Sequence, residues 1–138
     1  MIPRVYVDSS AYVAALVGEP QGPTVAARLA GATVVSSVLL VIETERTLMR
    51  LARERRITAT ALRERRDQLE RELQRIELRD VDLGLCADTT WPALATPRTL
   101  DLIHLRTALW FHRRSPLAAF LTLDETQRNA AREFGLPA

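Results

Sequence analysis

The chain contains no lysine: all 19 of its basic residues are arginine. That absence removes two chemistries, because a P-loop needs a lysine on the nucleotide phosphates and Schiff-base catalysis needs a lysine amine. Cysteine is nearly as scarce. Cys86 stands alone, which excludes an internal disulfide framework and any cysteine-rich zinc site and suits a reducing compartment. The five glycines show no spacing like a dinucleotide-binding fingerprint. No long apolar run exists either. The longest near-apolar stretch, VVSSVLLVI (34–42), falls far short of the roughly 20 residues of a membrane span. Asp8 interrupts the first apolar segment, and no small-residue cleavage site follows as a signal peptide would require. Together these absences predict a soluble, cytoplasmic protein with no membrane partner.

What is present describes an ordinary globular chain. Its 138 residues, 47% hydrophobic and 26% charged, suit one domain over 1–138 that buries about two-thirds of its unfolded surface. The pattern predicts strands at 4–7, 33–37 and 118–123, with 76–82 either a strand or an extended connection. Helices are predicted at 10–17, 23–30, 38–55, 59–74, 83–90, 100–113 and 125–134, and 95–98 as a loop. Strands alternating with helices imply an α/β fold, a short parallel sheet with helices on both faces. The arginine- and glutamate-rich helices from 38 to 79 read as an arm projecting from that sheet. Only LPA follows Gly135, so a final edge strand is very short or absent.

Two strands run straight into an acid: VYV into Asp8 and FLTL into Asp124. Ligands of open α/β sheets bind outside the carboxyl ends of the strands. If 33–36 and 119–123 flank the first strand, Asp8 and Asp124 approach one another there. Asp101 opens an apolar helix, and Glu43 lies in the helix after the strand ending at Ser36 and Ser37. Each acid also has a plain structural reading. Asp8 or either following serine suits a helix N-cap, Asp124 with Gln127 resembles a capping box, and Asp101 favours the positive end of its helix. Taken together, clustered carboxylates repel one another unless protons or cations compensate them. An oxygen-only set of this kind suits Mg²⁺ or Mn²⁺, which can activate water beside a phosphodiester.

The segments VYVDSSAYVAALVGEP (5–20), VVSSVLLVIETERTLMR (34–50), RTLDLIHLRTALWF (98–111) and FLTLDETQRNAAREFGL (120–136) resemble a PIN-domain ribonuclease. More narrowly, they resemble a VapC-type toxin of a type II toxin–antitoxin system. The resemblance implies a PIN-like three-layer sandwich and a metal-dependent endoribonuclease inhibited by a cognate VapB-type antitoxin. It implies Asp8, Glu43, Asp101 and Asp124 as the catalytic, metal-binding acids. Asp8 and Asp101 would be the principal ligands of Mg²⁺ (or Mn²⁺), and Glu43 and Asp124 would serve a second ion, metal-bound waters or proton transfer. Thr122 matches a supporting polar position, and Ser9 a contact to substrate. The resemblance also implies tRNA or rRNA as substrate and a homodimer.

Glu43 has a competitor. Its spacing from Ser37 and to Arg46 matches the family, but at about 100° per residue Glu45 shares an arc with Val38, Ile42 and Met49. Glu45 therefore stands as the alternative, partly buried acid. His104 shares a helical face with Asp101 and reads either as a packed structural histidine or as a group assisting the site. His112 and Cys86 carry no evident chemistry. Trp91, Trp110, Phe111 and Phe120 are too scattered for a base-stacking platform and read as core or interface.

Arg46, Arg50, Arg53, Arg55 and Arg56 form a basic run near Glu43 that suits an RNA backbone, whereas the interleaved charges of 59–79 suit a solvated ion-pair surface. Leu48, Leu51 and Leu62 read as exposed apolar faces of the arm, and the resemblance implies a groove for the antitoxin there. The alternative function is a non-catalytic PIN-like module that binds RNA or protein. A receiver domain would need the missing lysine, and a haloacid-dehalogenase-type phosphatase would need an acid where Ser10 stands.

Overall fold

A computed structural model describes residues 1–90 and 98–138. Its order is set by the first strand, β1 (Arg4–Val7), whose last three residues are all buried. A strand buried on both faces must sit inside a sheet with helices above and below. Side chains alternate along it, so Val5 and Val7 enter one core while Tyr6 enters the other. β2 (Thr33–Ser37) pairs with one edge of β1 and β4 (Ala119–Leu121) with the other, and β3 (Glu77–Arg79) lies outside β2. All three pairings are parallel, giving the order β3-β2-β1-β4. β2 and β4 flank β1, the condition under which the sequence brings Asp8 and Asp124 towards each other, and the segment 76–82 does hold a strand.

Seven helices complete the described residues: α1 (Ser9–Val17), α2 (Gly22–Leu29), α3 (Leu39–Arg53), α4 (Ala59–Leu73), α5 (Leu83–Ala87), α6 (Thr99–Arg114) and α7 (Glu125–Glu133). Gly18 ends α1 with φ at 78°, a left-handed conformation that favours glycine. Gly22 opens α2 where a Cβ would lie 2.3 Å from the Ala14 carbonyl oxygen, so α1 and α2 pack backbone to backbone. Thr58 caps α4 by accepting from the Ala61 N–H at 3.0 Å, which explains the break expected near 57–58.

Three expectations need correction. The fourth strand ends at Leu121 rather than 123, because the next backbone donors leave the ladder: Leu123 N–H goes to Ser10 Oγ and Asp124 N–H to Thr122 Oγ1. α5 stops at Ala87 because the Asp88 carboxylate folds onto the N–H and hydroxyl of Thr90. The segment 38–79 is not a projecting arm. Leu40 and Leu48 of α3 and Leu69 of α4 are buried in the core that holds Val5, Val7 and Tyr12. Accordingly Leu48 and Leu51 are not exposed; the apolar residues that α3 shows to solvent are Ile42 and Met49, with Val38 just before it.

On the opposite face, α6 and α7 cover Tyr6 and Val35 with Leu105, Ala108, Phe111 and Ala131. Phe111 and Phe120 are core, and Trp110 is half-buried between the guanidinium groups of Arg79 and Arg114. Trp91 and most of the expected loop at 95–98 lie outside the described residues. No strand follows α7 among the described residues; one bond from Phe120 N–H to the Pro137 carbonyl ties the last residues to β4.

Candidate active site

The carboxyl ends of β1, β2 and β4 open onto one side of the sheet, where α1, α3, α6 and α7 begin. A cleft of about 700 Å³ lies there, lined among others by Ser9, Glu43, Arg46, Arg50, Arg98 and Asp124. Asp8 leaves β1 with its N–H bonded to the Leu121 carbonyl at 3.0 Å, which locks its backbone to β4. Its Oδ1 accepts the Ala11 N–H at 3.1 Å and the Ser10 hydroxyl at 2.7 Å. Asp8 is thus an N-cap, as its context suggests, and it is also buried, next in sequence to Ser9 and Ser10, which line the cleft. Burial pushes its carboxyl above the ordinary value, against the pull of hydrogen bonds from Thr122, Ser10 and Ala11.

Asp124 caps α7 in the same way, accepting the Gln127 N–H at 3.2 Å. The expected capping box is only half formed. Gln127 does not reach back; its buried amide donates to the Asp101 carbonyl at 3.0 Å and thereby ties α7 to the first turn of α6. Asp101 is not a cap but the third residue of α6. Its carboxyl is raised first by burial, then by the facing charge of Asp124 and, more weakly, of Asp8, while Arg98 opposes the rise. The three aspartates therefore share one electrostatic field, as like charges in a common site do.

Glu43 enters from α3. Its Oε1 accepts the Ser9 hydroxyl at 2.7 Å and meets His104 Nε2 at 2.6 Å. Burial is the largest single influence and raises its carboxyl, yet the His104 and Ser9 interactions together hold it below the ordinary value. Glu45 lies elsewhere, bonded to Arg66 of α4 at 2.7 Å. The helical arc that grouped Glu45 with Val38, Ile42 and Met49 is the solvent side of α3. Its buried face is Leu40, Thr44, Leu48 and Leu51; both acids are partly buried, Glu43 the more deeply, with 23% of its side chain exposed against 44% for Glu45.

Thr122 is buried and touches Ser10 Oγ at 3.2 Å while accepting the Asp124 N–H at 3.1 Å. Arg46 and Arg50 line the cleft beside Glu43, with Arg50 also 3.6 Å from Glu54. The sequence offered Ser10 and Gln127 only local capping roles and missed their long-range bonds. Ser10 stitches α1 to residues more than 110 positions away, which no local pattern reveals. Gln127 was visible only as half of a capping box.

The donors gathered here are carboxylate oxygens, with no thiol, and Asp101 carries repulsion that a cation would relieve. Among the described residues, no three acid, histidine or cysteine side chains stand close enough to close around an ion. That combination fits a hard cation which retains several of its own waters and takes only one or two carboxylates directly, as Mg²⁺ does. One or two of Asp8, Asp101 and Asp124 could hold it directly, the remaining acids acting through its waters. Among the described residues no helix is long and apolar enough to cross a membrane.

Comparison with curated proteins gives no match. The family model for the PIN domain, in contrast, matches residues 5–133, from the first strand to the end of the last helix. With that span and a four-stranded parallel sheet between helical layers, the chain belongs to the PIN domain family.

Proposed function

We propose that the chain is a Mg²⁺- or Mn²⁺-dependent endoribonuclease of the VapC toxin type, restrained by a cognate VapB-type antitoxin. PIN domains are in general metal-dependent nucleases that act on RNA. The observation that carries the reading is the shared field of Asp8 and Asp124, which follow strands, and Asp101 in the first turn of α6, together with an arginine-lined cleft that includes Asp124. A bound divalent ion supplies an activated water and stabilises the leaving oxygen.

The chain's own residues do the rest. Arg46 and Arg50 draw the RNA backbone into the cleft, since guanidinium groups match phosphate geometry. Ser10 and the Ala11 N–H fix the Asp8 carboxylate, and Gln127 fixes the start of α6 that carries Asp101. The exposed Ile42 and Met49 lie along the same helix as those arginines, and Val38 immediately precedes it. An amphipathic antitoxin segment seated there would cover both the apolar and the basic contacts and block RNA. Homodimerisation and a tRNA or rRNA target belong to the same reading.

Purified protein, freed of any partner, should cleave tRNA or rRNA with Mg²⁺ or Mn²⁺ and stop when the metal is chelated. Asp8→Asn and Asp101→Asn proteins should stay folded and lose cleavage. A folded wild-type protein that binds RNA but cuts none under any Mg²⁺ or Mn²⁺ condition would leave the non-catalytic module in its place.

A further inference from the structure

Glu43 is held by a chain of buried side chains that begins in the opposite core. The Tyr6 hydroxyl lies 2.7 Å from His104 Nδ1, His104 Nε2 lies 2.6 Å from Glu43 Oε1, and the Ser9 hydroxyl donates to that same oxygen at 2.7 Å. Ser9 Oγ also stands 3.3 Å from His104 Nε2. A carboxylate only accepts, so the Nε2 hydrogen lies on the bond to Glu43. A hydroxyl both donates and accepts, so Tyr6 satisfies Nδ1 in either state of the ring. Tyr6 and His104 are almost wholly buried and meet edge to face, with centroids 5.9 Å apart; Tyr6 stacks in turn on Phe120 at 5.2 Å. The ring therefore cannot swing away without opening the core.

One oxygen of Glu43 is thus saturated and the other has no partner among the described residues. We propose that Tyr6, His104 and Ser9 form a positioning relay which fixes Glu43 with Oε2 facing the cleft, ready to hold a metal-bound water or ligate the ion. His104 is then a positioning residue, acting through Glu43 rather than on RNA. A histidine placed merely to fill the core would have no need of two short, oppositely directed hydrogen bonds ending on a half-buried acid. The proposal rests on the nuclease reading for the task of Glu43, and on geometry for the relay.

The test compares wild type with His104→Leu, which keeps apolar volume without a donor, and His104→Gln, whose amide can still donate to Glu43. Steady-state cleavage of an RNA substrate and Mn²⁺ titration by calorimetry are measured on each. Loss of a group that orients a metal ligand costs about 10- to 100-fold in activity or metal affinity. His104→Leu should lose that much in kcat and in Mn²⁺ affinity with KM for RNA unchanged, and His104→Gln should recover most of it. Should His104→Leu fail to fold, Tyr6→Phe retains the ring packing and should give a smaller loss of the same kind. A folded His104→Leu or Tyr6→Phe protein with wild-type kcat and Mn²⁺ affinity overturns the relay, as does a His104→Gln no better than Leu. If wild type cleaves nothing, the nuclease reading fails alone, because the Mn²⁺ affinities of the same proteins still decide the relay. A wild type that binds no Mn²⁺ removes both.

Discussion

Asp8→Asn should make the metal-free protein more stable at neutral pH, although it removes a residue central to the site. Burial raises the Asp8 carboxyl above its ordinary value of 3.8. In the unfolded chain the group ionises near that ordinary value, whereas in the folded chain it holds its proton to higher pH. Between the two values the native state binds more protons, so stability falls as pH rises through that window. Each unit of elevation corresponds to about 1.4 kcal/mol, and an amide that never ionises removes that cost altogether. Asparagine keeps the cap, because its amide oxygen can still accept from Ala11 and Ser10. In a domain of this size each kcal/mol gained appears as roughly 3 °C in Tm. Thermal melts of both proteins in chelator, from pH 3.5 to 8, should show curves that nearly coincide below pH 3.8 and separate above it. Mn²⁺ at 100 times its Kd should then raise wild type by about 2.7 kcal/mol and leave the variant nearly unmoved. A variant less stable than wild type at pH 7 without metal would refute the reasoning, since the ionised Asp8 would then be supporting the fold.

Three further outcomes follow from the same geometry. Glu45→Ala should change stability by less than about 0.5 kcal/mol, because its bond to Arg66 is exposed, and leave cleavage intact; Glu43→Ala should abolish cleavage. Arg46→Ala and Arg50→Ala should each weaken RNA binding and flatten its salt dependence by about 0.7 of a logarithmic unit per logarithmic unit of salt, read by filter binding at several ionic strengths. Leu48→Ala, which empties a fully buried position in the core where α3 packs against α1 and α4, should cost about 2–5 kcal/mol in denaturant unfolding.

Much of this architecture can be read from residue order because its signals are local. VYV running into Asp8 and FLTL into Asp124 mark buried strands with acids at their ends, and Asp8, Thr58 and Asp124 all cap helices by short-range bonds. The rotation of α3 is different. Val38, Ile42 and Met49 form as good an apolar stripe as Leu40, Leu48 and Leu51, and only the sheet decides which faces inward. That choice moved Glu45 to solvent and Glu43 to the cleft. The relay behind Glu43 and the stitch through Ser10 join residues 34 to 113 positions apart, and such pairings depend on strand order rather than on any local pattern.

The order β3-β2-β1-β4 also has a consequence for how the chain is made. β1 leaves the ribosome long before its second neighbour, β4, which begins at Ala119. At about 5–20 residues per second, that separation is on the order of 10 s. Throughout that interval one edge of the central strand is unpaired, an opening that invites association with other chains. Asp124 and Thr122 also arrive only then, so the acidic cluster cannot exist on a nascent chain that still lacks its last strand. An acidic site built this way stays incomplete until its last strand has been translated.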